Sequence, residues 1–550
     1  MKKQILSLVI VLLVGLFSYT TLFQKGFYYT HDDIQVRRVQ EIRKEIKYLN
    51  FPIRWISGLS HGYGYPLFNF YSPLPYYIGG FATVIKGVDA VVAVKITIIL
   101  GFILSSLFMY LLGKELYGNI GGITSALLYL YAPFHSVEIY VRGSLTEFWA
   151  FVPLPLLYYS VLKLYRDGKI KYLVYSAFSL SVLMLSHHVV AILFAPIFIL
   201  FLIFLNSTKI GNKQNLKKVS LSICLGLGLS SFFWIPSFVE SSLVRAPILE
   251  SLIFQSYKIY FLPLIKLINM PWGYGGFSLK DSGAMSFEIG KVHLFLMLLS
   301  AVAIFKNRKS WVSKIIAFCF LGFFISVFMV TPYSQKIWET VPYFIYTHFP
   351  WRYLAVTAFF ASLIGGYSLN LFKSTKLKII FSIIIISALL ITEGYKFKPK
   401  EMLQNYTPSV YDLQDTTTWE YQYLPIWLSK PIENTFTQKV EVLTGKAEIK
   451  IISPRPDDYR FRAVAEGYSR LRFNTYYFPG WNLYVDGKLE TIDFHNENNL
   501  ITFIITPGVH DIRLRFEDTP IRRTGNIISV LSLACITIVF IKVKRHEKTY

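Results

Sequence analysis

Apolar runs of about 20 residues, the length a helix needs to cross a hydrocarbon core, recur along this chain and constrain its fold more than any other feature. A soluble protein of 550 residues, 53% of them hydrophobic, would not carry so many such runs. The sequence therefore predicts a mainly helical, polytopic membrane protein of about twelve spans. The predicted spans are roughly 5–23, 88–113, 119–134, 147–165, 171–185, 188–205, 217–236, 291–305, 312–330, 353–372, 377–393 and 525–542. Two shorter apolar segments, 74–86 and 251–268, leave this count open by two.

The basic residues lie mostly in short loops between these runs. A net charge of +23 would suit nucleic-acid binding, but its placement follows the positive-inside rule. We therefore expect a bilayer and no nucleic acid as partner, in a multi-pass protein of the cell membrane with both termini cytoplasmic. The predicted cytoplasmic segments are 163–171, 207–218, 306–310, 373–378 and 542–550.

The remaining polar segments fall on the opposite side of the membrane. They are 24–87, 135–146, Ser186–His188, 237–290, 331–352 and 394–524. The predicted domains are a helical membrane domain over 1–393, an extracytoplasmic β-rich domain over 394–524, and a final span with a basic tail over 525–550.

Segment 394–524 has a different sequence pattern from the rest of the chain. Short runs that alternate apolar and polar residues are separated by turn residues, which predicts a small antiparallel sheet arranged as a sandwich. Asp486-Gly487 between two such runs predicts a two-residue hairpin. The predicted strands lie within 446–453, 458–465, 469–478, 481–488, 499–506 and 510–517.

Asp32 and Asp33 open the polar segment that follows the first apolar run. Two adjacent carboxylates can hold a divalent cation, Mg²⁺ or Mn²⁺, or one can act as a general base. The structural alternative is the N-terminus of the next helix, where acidic residues are favoured. That helix, within 34–49, is amphipathic and is expected to lie on the outer membrane surface, its basic residues solvated or facing phosphate.

Aromatic residues interleaved with Gly and Pro fill the loop after this helix, which holds His61 and Tyr65. They suit stacking on sugar rings and equally suit an interfacial aromatic belt. In the second outer loop, Glu147 falls at the mouth of a span, where a carboxylate is costly unless it is paired or functional. Arg142 is its predicted partner, in a structural or a phosphate-binding role.

Two further groups mark the predicted outer ends of spans. His187 and His188 form a whole turn and have either a structural or a functional role. Arg352 suits bidentate binding of phosphate or, alternatively, snorkelling at the interface.

The residues His31-Asp32, Asn50–Trp55 and Gly62–Tyr65 resemble the membrane family labelled 6-pyruvoyl-tetrahydropterin synthase-related. The chain also resembles YfhO-like membrane proteins, whose outer β-domain is similar to 476–488 and 507–516. More broadly it resembles the GT-C superfamily of glycosyltransferases that use lipid-linked sugars.

The GT-C resemblance implies a bundle of membrane helices with the active site on the outer face and a polyprenyl-phosphate sugar as donor. It implies an acidic residue of the first outer loop as base or metal ligand, a role that falls on Asp32 or Asp33. The expected catalytic residues are Asp32, Asp33 and Glu147, with Asp32 and Asp33 also the candidate metal ligands. The expected substrate-binding residues are His31, Arg54, His61, Tyr65, Arg142, His187, His188 and Arg352.

The leading hypothesis is a glycosyltransferase that moves a sugar from polyprenyl phosphate to a cell-envelope glycan or protein. A transporter or flippase for a lipid-linked glycan is one alternative, and a non-catalytic envelope assembly protein is another. A transporter would carry charges buried in mid-span, whereas the charges here cluster at the outer mouths. That distribution favours the enzyme.

Overall fold

A computed structural model describes residues 2–208, 210–248, 256–406, 421–428 and 430–547. It is mainly helical, with a β-rich region near the C-terminus, as predicted. Parts of the predicted segments lie outside the described residues, namely 209, 249–255, 407–420, 429 and 548–550. The helices are Lys2–Gly15, Gln35–Ile46, Leu67–Phe70, Leu74–Ala82, Ala90–Leu130, Pro133–Ser136, Leu145–Ala150, Pro153–Asp167, Ile170–Ser186, His188–Ser207, Leu216–Leu229, Ser231–Val239, Leu264–Ile268, Lys291–Lys306, Trp311–Val330, Gln335–Thr340, Leu354–Tyr367, Thr375–Glu393 and Pro520–Glu547.

Among the described residues, seven helices are long and apolar enough to cross a membrane, or eight if one bent pair is a single span. The expected count of about twelve is therefore not confirmed. Several predicted spans form shorter apolar helices, such as Gln4–Ser18 and Ile170–Ser186. The seven are Ala90–Leu130, Leu145–Asp167, His188–Ser207, Trp311–Val330, Pro350–Leu371, Thr375–Lys396 and Pro520–Ile541.

Two predicted spans, 88–113 and 119–134, form the single element Ala90–Leu130. Its helical geometry breaks at Tyr117 and at Gly118, which has φ +84°. The chain then turns back on itself: a Cβ on Gly113 would lie 3.1 Å from Cα of Gly122. In a straight helix these residues would be about 13 Å apart. The two halves are therefore antiparallel neighbours.

In the described residues of the β-rich region, eight strands form two sheets. The three-stranded sheet has the order β1-β4-β7, and the five-stranded sheet has the order β2-β3-β8-β5-β6. Rings from the two sheets meet, since Phe473 lies 5.1 Å from Tyr459 and 5.8 Å from Trp481 between centroids. The strands are β1 (Val440–Thr444), β2 (Ala447–Pro454), β3 (Asp458–Ala465), β4 (Ser469–Tyr476), β5 (Trp481–Val485), β6 (Lys488–Glu490), β7 (Leu500–Ile505) and β8 (Gly508–Phe516).

The predicted two-residue hairpin joins β5 to β6. Val485 pairs with Lys488, and the two residues between them, Asp486 and Gly487, have φ +52° and +80°. Positive φ at both central residues is the requirement of the hairpin turn that Asp-Gly favours. The prediction is confirmed, whereas β1 was not predicted.

The helix Gln35–Ile46 is covered by protein over more of its charged face than a solvated helix would be. Its charged residues Glu41 and Glu45 are each only 1% exposed. On its apolar side, Gly80 allows close approach, because a Cβ there would come within 2.2 Å of Ile42. Protein thus covers both faces along most of the helix, while Arg43 and Lys44 remain exposed. An amphipathic pattern marks a polar face but does not say whether water or protein covers it.

The aromatic loop 61–65 packs against the β-rich region. The Tyr63 ring lies 5.2 Å from Phe436 and 5.5 Å from Tyr476 between centroids, and the Tyr476 N–H donates to the Tyr63 carbonyl at 3.1 Å. Lys439 Nζ donates to the Gly62 carbonyl at 2.9 Å. The loop therefore fixes the position of the β-rich region over the helices.

Candidate active site

Two loops that are distant in sequence are joined through their backbones at the candidate site. The N–H of His31 donates to the Val141 carbonyl at 3.1 Å, and the N–H of Asp32 donates to the Arg142 carbonyl at 2.8 Å. Gly143 follows with φ +73°, and a Cβ there would lie 2.1 Å from Thr30 Oγ1. Glycine therefore permits this close approach, which brings Asp32 next to Arg142.

Arg142 ends a π-helical turn, Val137–Arg142, and forms the centre of a buried ion cluster. Its Nη1 contacts Glu138 and lies 3.0 Å from Oε2 of Glu147. Arg352 Nε lies 3.4 Å from the same Glu147 oxygen. We call Glu138, Arg142, Glu147 and Arg352 the arginine–glutamate cluster. Both carboxylates are fully buried, and burial of such charges is costly unless they are paired.

The electrostatic balance of this cluster turns on Glu138. Burial, the largest cause, raises the pKa of Glu138, while Arg142 lowers it and Glu147 raises it, with a net rise. Burial lowers the pKa of Arg142, but Glu138, Glu147 and Asp32 raise it by more. The cluster thus holds two guanidinium groups and two carboxylates in one buried site.

Three imidazoles surround Arg352. His348 Nδ1 lies 3.2 Å from Arg352 Nη1, and His188 Nδ1 lies 3.1 Å from Ser72 Oγ. His187 Nδ1 accepts the N–H of Val190 at 3.1 Å. Burial and then Arg352 lower the pKa of His187 and of His348, the latter to about 3. His187 and His348 are therefore neutral near pH 7.

A set of side chains that the sequence did not single out continues from Asp32. Gln35 Nε2 donates to the Asp32 carbonyl at 3.2 Å, and Tyr76 Oη donates to Gln35 Oε1 at 2.6 Å. Arg38 Nη1 donates in turn to Tyr76 Oη at 2.7 Å. The Arg38 guanidinium also lies 4.2 Å from the centre of the Tyr71 ring. No motif indicated these contacts, because the basic residues of this helix, Arg38 among them, were expected to be solvated or to face phosphate.

The two adjacent carboxylates have different surroundings. Asp33 Oδ2 accepts a hydrogen bond from Tyr406 Oη at 2.9 Å, whereas Asp32 is exposed. Neither is the N-cap of the following helix, since that position is Ile34 and has no capping side-chain bond. Within the described ranges, no three His, Cys, Asp or Glu side chains are grouped so as to hold a metal ion. The described residues thus add no third such side chain to Asp32 and Asp33.

The remaining predicted site residues lie in other environments. His31 is exposed, with Nε2 3.1 Å from the Tyr274 carbonyl. His61 is partly buried in the loop that contacts the β-rich region, and Tyr65 is buried in a backbone bridge with Ile56. Arg54 belongs to a second polar network. Its side chain donates to Asp518 Oδ1 at 2.9 Å, Asn69 Oδ1 at 3.1 Å and Asn526 Oδ1 at 3.0 Å.

Of the predicted site residues, the structure thus brings together Asp32, Arg142, Glu147, His187, His188 and Arg352. Comparison with known families gives a match over residues 68–399, more than half of the chain, to the 6-pyruvoyl-tetrahydropterin synthase related domain, described as a membrane protein. The chain belongs to this family. With seven apolar helices of spanning length in the described residues, it is a multi-pass membrane protein. The family resemblance seen in the sequence is confirmed.

One curated relative is a protein of Lactococcus lactis subsp. cremoris (strain MG1363) described as uncharacterized. It is 26% identical over 182 residues, which cover 32% of this chain and 30% of that protein. The match thus covers less than a third of the relative's length.

Among solved structures, the chain is similar to the archaeal oligosaccharyltransferase AglB from Archaeoglobus fulgidus in complex with an inhibitory peptide and a dolichol-phosphate. The TM-score is 0.47 at 13% identity, over 79% of this chain and 61% of that one. It is also similar to ArnT from Cupriavidus metallidurans bound to undecaprenyl phosphate, with a TM-score of 0.38 at 13% identity over 74% and 67% of the two chains.

A third likeness is to the arabinofuranosyltransferase AftD from Mycobacteria, with a TM-score of 0.45 at 12% identity over 73% of this chain and 27% of that one. The chain spans about three-fifths of the archaeal oligosaccharyltransferase. All three TM-scores are below 0.5, so these likenesses do not establish a shared fold.

Proposed function

We propose that this protein is a membrane glycosyltransferase that moves a sugar from a polyprenyl-phosphate donor to a cell-envelope acceptor. The observation that carries the proposal is the backbone junction that holds the exposed Asp32 beside the buried Arg142. A base and a cationic phosphate site are the two elements that this transfer requires. The GT-C resemblance of the sequence implies the same reaction.

In the proposed step, Asp32 accepts the proton of the acceptor hydroxyl. The hydroxyl oxygen forms a bond to the anomeric carbon of the donor sugar. The bond from that carbon to the phosphate oxygen breaks, and the polyprenyl phosphate leaves with the electron pair. Arg142 and Arg352 stabilise the charge that develops on the leaving phosphate, because guanidinium groups suit phosphate geometry and act strongly in a buried site.

Asp32 is assigned the base in preference to Asp33. A base must reach the proton it abstracts, and the Asp32 carboxylate is exposed while Asp33 is partly buried with Tyr406 bonded to one oxygen. Asp33 then holds Tyr406 in place. Glu147 fixes the two guanidinium groups, and His187 and His188 offer hydrogen bonds to donor or phosphate without adding charge.

No step is assigned to a cation. Asp32 and Asp33 alone are a small ligand set for Mg²⁺ or Mn²⁺, which would then take most of its ligands from water and substrate phosphate. The proposed orientation has the site on the extracytoplasmic face and both termini in the cytoplasm, following the distribution of basic loops.

The test compares Asp32→Asn with Asp33→Asn at matched membrane levels in the host. The readouts are the mass profiles of polyprenyl-linked sugars and of envelope glycans. Asp32→Asn is expected to lower transfer by about 10²–10⁴-fold, so that a lipid-linked sugar accumulates and one envelope sugar disappears. Asp33→Asn is expected to have a smaller effect.

Unchanged profiles in a folded Asp32→Asn protein would overturn the proposal. If the lipid-linked sugar accumulates on the inner leaflet only, the protein acts as a flippase and not as a transferase. If neither profile depends on Asp32 but deletion of the protein alters the envelope, the protein has a non-catalytic role in envelope assembly.

A further inference from the structure

A polar cleft separate from the arginine–glutamate cluster lies where three parts of the chain meet. Its volume is about 290 Å³, at the lower end of the range for small-molecule sites. One wall is the segment 50–55, which carries part of the family resemblance. A second wall comes from the β-rich region at Asp457 and 515–517, and the third from the start of the final helix at Arg523.

The charges that line the cleft balance. Three guanidinium groups face three carboxylates, which belong to Arg54, Arg515, Arg523, Asp457, Glu517 and Asp518. A phosphate would meet three carboxylates there, and a cation would meet three guanidinium groups, so neither is matched. A neutral polyol is matched, because each hydroxyl can both donate to a carboxylate and accept from a guanidinium group.

An aromatic side chain stands at the cleft with its ring available. Phe51 lines the cleft and is 64% exposed, although its ring also contacts Phe232 at a centroid distance of 5.9 Å. Arg523 is exposed as well, on the opposite wall. An open ring beside paired donors and acceptors suits the apolar face and the hydroxyl edge of a sugar.

The cleft is connected to the candidate active site through Asn69. Asn69 Oδ1 accepts from Arg54, which lines the cleft, and Ser72, three residues further on, contacts His188. Three residues of chain span at most about 11 Å. A short chain of contacts therefore links the cleft to the His188 side of the candidate active site.

We propose that this cleft is a saccharide-binding site that holds the acceptor glycan. Its description as an acceptor site rests on the proposed transferase function, whereas saccharide binding itself does not. The ligand class is a neutral oligosaccharide, recognised by mixed charges and an exposed ring.

The test measures binding of two neutral trisaccharides, maltotriose and N,N′,N″-triacetylchitotriose, to the purified full chain in detergent by saturation-transfer NMR. The variants are Asp457→Asn and Arg523→Gln. The control is Arg462→Gln, on the exposed face of β3, where Arg462 pairs with Asp511 at 2.9 Å. Each cleft variant is expected to bind about tenfold more weakly, the value of one hydrogen bond to a charged group, while the control binds as the wild type.

The proposal is overturned if neither trisaccharide receives saturation from the wild type, or if the cleft variants bind as well as the control. It is also overturned if inorganic phosphate displaces the sugar, since the cleft would then be an anion site. Asp32→Asn is expected to bind both sugars normally. Loss of transfer therefore tests the reaction, and loss of binding tests the cleft.

Discussion

The guanidinium of Arg142 lies 3.0 Å from Oε2 of Glu147, and both side chains are buried. Arg352 Nε lies 3.4 Å from the same oxygen, so one carboxylate oxygen is close to both guanidinium groups. Glu138 contacts Arg142 as well, and its pKa is raised by burial. Loss of the negative charge of Glu147 should therefore destabilise the cluster more than loss of the charge of Glu138.

The first prediction compares Glu147→Gln with Glu138→Gln. Removing the Glu147 charge leaves two buried cations short of a partner and should destabilise the fold by about 3–5 kcal/mol. Glu138→Gln resembles the protonated form that burial favours and should cost about 1 kcal/mol. Thermal unfolding in detergent measures both, and equal losses would contradict the assigned roles.

The second prediction concerns the junction of the two loops at Gly143. Gly143 has φ +73°, which disfavours any residue with a Cβ, and a Cβ at this position would lie 2.1 Å from Thr30 Oγ1. Gly87 is the matched control, because it has φ +86° but no atom within 4 Å of a Cβ. Gly87→Ala should cost about 1 kcal/mol through backbone strain alone.

Gly143→Ala should cost more than that, and it should also lower transfer in the folded protein, because the clash moves Asp32 relative to Arg142. Unfolding temperatures of the two variants and their envelope-glycan profiles provide the measurement. If Gly143→Ala behaves like Gly87→Ala in both, the junction does not position the base.

The sequence predicted those parts of the fold that depend on local pattern. Strict alternation marked β3, and Asp486-Gly487 marked the hairpin between β5 and β6, because strand period and turn geometry are local properties. The pairing of Arg142 with Glu147 was also predictable, since an unpaired carboxylate at the mouth of a span is costly.

What the sequence did not predict depends on contacts between distant segments. Arg38 stacks on Tyr71 inside the protein, yet the same helical pattern would fit a solvated face. The partners of Arg54 were not indicated either, because Asp518 and Asn526 lie more than 460 residues away in the sequence. Local periodicity carries no information about which distant residues neutralise a charge.

The third prediction is a pH dependence of stability that arises from Glu45. Burial, and then the charge of Asp457, raise the pKa of Glu45 to about 8, with Asn50 and Arg455 opposing and Glu41 reinforcing the shift. Because the folded pKa lies above the ordinary value, the stability contribution is complete below about pH 4.5 and is lost as pH rises through 8.

The unfolding temperature of the wild type should therefore fall relative to that of Glu45→Gln between pH 5 and about 9. Glu448→Gln, at an exposed position on β2, serves as the control and should follow the wild type. Parallel curves for wild type and Glu45→Gln would show that Glu45 does not titrate in this range.

The last prediction concerns His510 in the β-rich region. Its Nδ1 lies 2.7 Å from Asp486 Oδ2, and its Nε2 lies 3.0 Å from the Thr506 carbonyl. Both ring nitrogens thus face acceptors, which is the arrangement that a doubly protonated ring satisfies. The hydrogen bond to Asp486 is the largest cause that raises the pKa of His510.

A histidine whose folded pKa is raised contributes stability that is complete below its ordinary pKa of about 6.5 and is lost as pH rises through the folded value. The wild type should therefore lose more stability across this window than His510→Gln, in which only other titrating groups such as Glu45 still contribute. Asp486→Asn keeps a residue that tolerates the positive φ of the hairpin and removes the charge, so it should flatten the curve in the same way. Unfolding followed by tryptophan fluorescence at several pH values measures the effect. A loss of stability in both variants as large as that of the wild type would show that His510 does not contribute.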